Sequence, residues 1–396
     1  MSLSIPVIGD IHDAHARQLA YFSLPDKEVP DDKMPIEVPP EFLTVQNTLD
    51  WIEANREAIQ AAKDAQCTSK SPDALTGTPF SSVFSKAPLS IYGLKRQESK
   101  IYEAVKAARD GDFDAAVDYI KEAQESIQAV ADALDCTFVQ LCDFPHESPE
   151  GTFYQSGAFC GLFVSNNTDM PFMGVAFKGT TRLNLREVKT DLNWDPIVPD
   201  PPEIAWGALV HGGFFKGLFG RFKSKGGQRA FDIIMDKLKE AYDDHGGNPI
   251  LHFTGHSLGG AYCTLTYGEF LRRQAESAFS KYRFGDMYSL AAPRVCMPPF
   301  FQEVNNLTRP GGGKYLFRIV NSKDPVPTVP PRKRSQIPDY PFMHVGGAWE
   351  LTQEGPQKMA DEPPPVDPQP LLEFIWDIPY HSIKNYYAAW QKTPHD

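Results

Sequence analysis

The chain runs to 396 residues, 41% of them hydrophobic, with a formal net charge of −12. That length can bury a large core and hold either two or three domains or one large domain with a long extension. A surface this acidic, without any block of basic residues, repels polyanions, which excludes nucleic acid as a partner.

No apolar run approaches the length of a membrane span. The start, Met1-Ser2-Leu3-Ser4-Ile5-Pro6-Val7-Ile8-Gly9-Asp10, has neither a basic n-region nor a long enough h-region for a secretion signal. The expected location is therefore cytoplasmic, or extracellular if a signal has been removed ahead of Met1. Cys67, Cys136, Cys142, Cys160, Cys263 and Cys296 are scattered without metal-type spacing, so they read as buried thiols, with no metal and no cofactor expected. The triplets Asn166-Asn167-Thr168 and Asn306-Leu307-Thr308 matter only in a secreted form.

Residues 1–43 are rich in proline and acidic residues and lack periodicity, which predicts an irregular arm. Three sets then fall at helical spacing: Val45, Leu49, Ile52 and Ile59; Tyr102, Val105 and Ala108; and Val117, Ile120, Ile127, Val130 and Leu134. These predict three amphipathic helices, with a loop over 68–93 and with Asp112 as N-cap of the third after a turn at Gly111. Beyond Asp135 the pattern changes. Ala158–Val164 and Met173–Phe177 read as strands, and Phe231, Met235, Leu238 and Tyr242 mark a helix closed by Gly246-Gly247. Tyr282–Leu290 and Tyr315–Val320 read as further buried strands, and the proline-rich 361–370 as a stiff connection. Strands alternating with helices predict an α/β fold with a largely parallel sheet, preceded by a helical extension. The expected division is 1–135 and 136–396.

Gly255-His256-Ser257-Leu258-Gly259 follows the apolar run Ile250-Leu251-His252-Phe253-Thr254 and leads into a helical stretch. A serine exposed on a tight strand-to-helix turn needs small neighbours on both sides, which the glycines provide. The bare G-x-S-x-G pattern recurs by chance in roughly one chain in ten of this length, so the strand before it and the helix after it carry the reading. Ser257 is the candidate nucleophile.

Several segments in one order resemble the class 3 (fungal, Rhizomucor-type) lipase family of the α/β-hydrolase fold. They are Phe177-Lys178-Gly179-Thr180, with lysine where the family has arginine; Asp191; Val210-His211-Gly212-Gly213-Phe214; the elbow with Gly260 and Ala261; Ala292-Pro293-Arg294-Val295, with Cys296 in place of glycine; Asp324-Pro325-Val326-Pro327; and His381 with Tyr386. The resemblance spans roughly 136–396 and implies an acyl ester or lipid as substrate, with at most transient contact with a lipid interface. It implies nothing about oligomeric state.

A serine hydroxyl needs a base to take its proton and a carboxylate to orient that base. Asp324 follows a buried strand, and Pro325 keeps it out of a helix; the bland alternative is an aspartate capping a turn. Among the histidines, His252 lies within a strand, His256 in the elbow points the wrong way, and His395 is terminal. His344 and His381 remain. His344 resembles a non-catalytic histidine of the family, whereas His381 begins a helix with the aromatic face Tyr386, Tyr387 and Trp390, and is the expected base. The expected oxyanion donors are the backbone N–H groups of Leu258 and Thr180, the latter with or without its hydroxyl.

Residues 181–190 correspond to the family's lid but carry only Leu183, Leu185 and Val188 as apolar residues, a narrow greasy face. Trp206, Phe214 and Phe215, with Leu218, Phe219 and Phe222, are candidates for the wall of an acyl pocket or for ordinary core. The leading expectation is a serine carboxylic ester hydrolase of lipidic substrates. Feruloyl-type or small-ester esterase, phospholipase A1 and acyltransferase share the machinery, and a binding or scaffold protein is the non-enzyme alternative. The extension is expected to pack on the catalytic domain and shape access to Ser257.

Overall fold

The structure is a computed structural model. It describes residues 100, 103, 104, 107, 111–142, 145–147, 153–155, 158–169, 171–179, 196–222, 227–246, 248–277, 279–308, 314–321, 323–330, 342–352, 355–359, 378–383, 385, 386 and 389. The predicted helix at 45–59, most of that at 102–108, Cys67, the 181–190 segment, Asp191 and Thr180 lie outside the described residues.

Eight strands form the central sheet: β1 (Cys136–Cys142), β2 (Cys160–Ser165), β3 (Phe172–Phe177), β4 (Ile250–His256), β5 (Arg283–Leu290), β6 (Leu316–Asn321), β7 (Gly347–Thr352) and β8 (Gly355–Lys358). They stand in the sheet in chain order. β3 to β7 run parallel, while β1, β2 and β8 pair antiparallel with their neighbours. The carboxyl ends of β3 to β6 therefore line up along one edge, where open α/β sheets bind ligands.

Strand alternation divides the core between two faces. Leu162, Met173, Val175, Leu251, Phe253 and Met287 face a helical layer. That layer comprises α2 (Gly212–Phe219), α3 (Ala230–His245), α4 (Leu258–Arg273) and α5 (Phe300–Leu307). On the other face, Phe138, Phe163 and Ala176 meet Ile127, Ala131 and Leu134. Ile127 and Ala131 belong to α1 (Phe113–Ala133), which starts where the third helix was expected, with Asp112 Oδ1 accepting the Ala115 N–H at 3.0 Å. Gly111 precedes it at φ 81°. Further along the same face, Tyr288, Leu290, Phe317 and Ile319 pack against Ile383 and Tyr386 of the C-terminal segment.

α3 closes on Gly246 at φ 66°, the left-handed position that glycine fills without steric cost. The five described cysteines are buried. Burial holds the thiols of Cys160, Cys263 and Cys296 well above their ordinary pKa, so these are inert packing groups.

Candidate active site

β4 ends at His256, and α4 begins at Leu258, leaving Ser257 alone on the turn at φ 60° and ψ −129°. A non-glycine residue held there is strained, and such strain persists only where the surroundings over-determine it. The Ser257 N–H donates to the Leu290 carbonyl at 3.0 Å on β5, and the Ser257 carbonyl accepts from Ala261 at 3.2 Å in the first turn of α4. A Cβ at Gly255 would run into the Gly259 carbonyl, and one at Gly259 into the Phe177 carbonyl. The spacing of the two glycines is thus a consequence of close backbone approach. Gly179 likewise sits against the His256 carbonyl, which brings the Phe177–Gly179 segment alongside the elbow. Leu258 opens α4 at the residue after Ser257.

Asp324 stands three residues beyond the end of β6, at the same edge of the sheet. Its Oδ1 accepts the Val326 N–H at 2.9 Å, so the turn-capping role weighed from the sequence is real. The carboxylate also lies 3.0 Å from His381 Nδ1 through both oxygens. A carboxylate only accepts, so Nδ1 carries the hydrogen, leaving Nε2 of the neutral ring as acceptor. His381 is 1% exposed, and its Nε2 is buried without a hydrogen-bond partner among the described residues.

Two contacts around this pair were not anticipated. Tyr386 donates its hydroxyl to Asp324 Oδ2 at 2.6 Å and accepts the Asn321 N–H at 2.9 Å; burial and the Asp324 charge push its pKa well above that of a free phenol. His256 Nε2 lies 2.8 Å from the His381 carbonyl, and the two rings are 4.7 Å apart. His256 Nε2 is thus taken up by a backbone carbonyl and not by Ser257, but its side chain reaches the segment carrying His381. The alternation of β4 carried that signal, since Phe253 faces the helical layer and His256, three residues on, must face the opposite side.

His344, the other histidine weighed as a base, points its Nε2 at the Pro327 carbonyl at 2.8 Å. Burial and the charges of Arg318 and Arg294 hold it neutral, its pKa well below the ordinary value. His211 caps α2, its Nδ1 accepting the Phe214 N–H at 3.4 Å with the rings stacked 3.9 Å apart. Burial lowers its pKa to about 4, as an accepting nitrogen requires.

Phe214 and Phe215 are buried in the main core, Phe215 against Phe219 and Phe219 against Phe231. Trp206 is partly buried, at φ 55° on the turn Ile204–Gly207, edge-on to Phe300. Buried Glu269 accepts the neighbouring Ala205 N–H at 3.3 Å and pairs with Arg272 and Arg273, tying that turn to α4. Asp286 lies within β5, buried on Tyr288 and the Tyr315 N–H, away from the elbow end of the strand.

Residues 174–334 match the family model described as lipase (class 3). A secreted mono- and diacylglycerol lipase, MDL2, of Malassezia globosa is 32% identical over 163 residues, which is 40% of this chain. The match spans 47% of that relative, so the chain covers about half its length. Among solved structures, a Rhizomucor miehei lipase propeptide complex is 22% identical, covering 55% of this chain and 58% of that one with a TM-score of 0.37. A lipase from Rhizopus microsporus var. chinensis is 17% identical, covering 90% and 92%, with a TM-score of 0.39.

Proposed function

We propose that this chain, which belongs to the class 3 lipase family through residues 174–334, hydrolyses acyl esters of lipidic alcohols through an acyl-Ser257 intermediate. The observation that carries the reading is the buried Asp324–His381 pair, its Nε2 without a hydrogen-bond partner among the described residues, on the sheet edge that also presents the strained Ser257 turn.

In this mechanism Ser257 Oγ attacks the ester carbonyl carbon while its proton passes to His381 Nε2. Asp324 holds the ring in the accepting tautomer and stabilises the imidazolium that forms. The carbonyl oxygen becomes an oxyanion, held by the Leu258 N–H at the start of α4 and by Thr180. As the tetrahedral centre collapses, the C–O bond to the alcohol breaks and His381 returns the proton to the departing oxygen. Water then gives a proton to His381 and attacks the acyl carbon, and Ser257 leaves reprotonated as the carboxylic acid departs. An acyltransferase would differ only in admitting an alcohol at this last step.

Chain-length preference separates lipase from small-ester esterase. The full chain is expected to cleave p-nitrophenyl esters and to label with a fluorophosphonate, and Ser257→Ala is expected to lose both. Turnover near that of the unaltered protein in Ser257→Ala would remove the proposal.

A further inference from the structure

His256, the last residue of β4 before the Ser257 turn, is 2% exposed and reaches the C-terminal segment. Its Nε2 meets the His381 carbonyl at 2.8 Å; a carbonyl only accepts, so that nitrogen carries the hydrogen and donates. The rings of His256 and His381 lie 4.7 Å apart and 31° from parallel, and Tyr386 stands edge-on to His256 at 5.7 Å. His381 itself sits where the short turn Ile378–His381 gives way to the helix of Ile383 and Tyr386. The Ser382 carbonyl there accepts from Asn385 and Tyr386, so the helix secures the next carbonyl along, while that of His381 is gripped from the strand.

Asp324 fixes one end of the His381 ring, at Nδ1. A contact at one ring atom sets the tautomer but does not by itself fix Nε2, whose position also depends on the backbone. The backbone there is held by Asn321, whose Nδ2 donates to the Tyr380 carbonyl at 3.2 Å, and at His381 itself by the residue bonded directly to the candidate nucleophile.

We infer that His256 is a positioning residue: its Nε2–H holds the His381 backbone, and so keeps the base in register with Ser257, the next residue in the chain. This rests on the acyl-serine reading. His256 is not a second base, because its Nε2 is committed as a donor and Asp324 meets His381.

The test is steady-state hydrolysis of p-nitrophenyl butyrate by the full chain and by His256→Phe, His256→Gln and His381→Ala. His256→Phe keeps a ring and deletes the donor. It is expected to lower kcat about ten- to a hundredfold with KM within about twofold, the scale of a small misplacement of a reacting group. The glutamine side-chain N–H can reach the same carbonyl, so His256→Gln is expected to recover kcat to within about fivefold of the unaltered protein. Labelling of Ser257 by a fluorophosphonate should slow and recover in parallel. A folded His256→Phe with kcat within twofold of the unaltered protein would overturn the inference, as would a folded His256→Gln no better than His256→Phe. If His256→Phe does not fold, His256→Ala against His256→Gln makes the same comparison. Turnover retained by His381→Ala would instead sink the acyl-serine reading, whereas an inactive His381→Ala beside a fully active His256→Phe would remove only this inference.

Discussion

Replacing Tyr386 by phenylalanine keeps the ring in its packing with Tyr288, Leu290 and Ile383 and deletes one oxygen. That oxygen bridges the Asn321 N–H, at 2.9 Å, and Asp324 Oδ2, at 2.6 Å. A hydrogen bond to a charged group contributes about 1.5–3 kcal/mol, and leaving a buried N–H without a partner costs about 1–3 kcal/mol. The two overlap where the backbone relaxes, so the expected loss of stability is about 2–4 kcal/mol. The carboxylate keeps the Val326 N–H and His381, so the base stays oriented and kcat is expected to fall only about tenfold, well short of the ~10⁴ expected for a triad aspartate replaced by asparagine. Urea unfolding at pH 7 reads the first number as a lower midpoint with an unchanged slope, and ester hydrolysis reads the second. Stability within about 0.5 kcal/mol of the unaltered protein would refute the reasoning, since a hydroxyl removed so cheaply cannot be holding a buried carboxylate.

Asp324→Asn should leave the fold intact and cost on the order of 10⁴ in kcat by presenting the wrong tautomer of His381; a loss below tenfold would point to another acid. Burial raises the Asp286 pKa from 3.8 to about 6, so the folded state binds more protons between those values and this group's contribution to stability falls by about 3 kcal/mol as pH rises through that window, then levels. Asp286→Asn should flatten that part of the stability curve, and an unchanged slope in the variant would contradict the assignment. Deleting residues 1–135 removes α1 and uncovers Phe138, Phe159 and Phe163, at about 2 kcal/mol for each large side chain returned to water; a truncated protein as stable as the full chain, with the same ester preference, would show that the extension is independent.

The elbow was legible because its information is local: an apolar strand, a tight turn with glycines two residues either side of Ser257, and a helix, all within about twenty residues. α1 was legible for a similar reason, its stripe and its Asp112 cap lying within one helix. The pairing of Asp324 with His381 spans 57 residues, and periodicity says nothing about which of two later histidines meets it; order along the chain and resemblance chose His381. Tyr386 was visible as an aromatic anchor, but its hydroxyl's grip on Asp324 depends on how the C-terminal segment docks on β6, a tertiary fact. The contact of His256 with the His381 carbonyl is not legible from the elbow as a turn. Read as the last residue of β4, its side chain has only one face to take. Phe214 and Phe215 show the converse limit, since an aromatic run on an eight-residue helix packs equally well as pocket wall or as core, and here both sit among the core residues of α2 and α3.

The central claim is that Ser257 is acylated with His381 as its base. Brief reaction of the full chain with a p-nitrophenyl ester, acid quenching and peptide mass spectrometry should find the acyl group on the peptide carrying Ser257, and find none in Ser257→Ala or His381→Ala. Ester turnover that persists undiminished in both variants, or an acyl group carried stably on a different residue, would contradict the account.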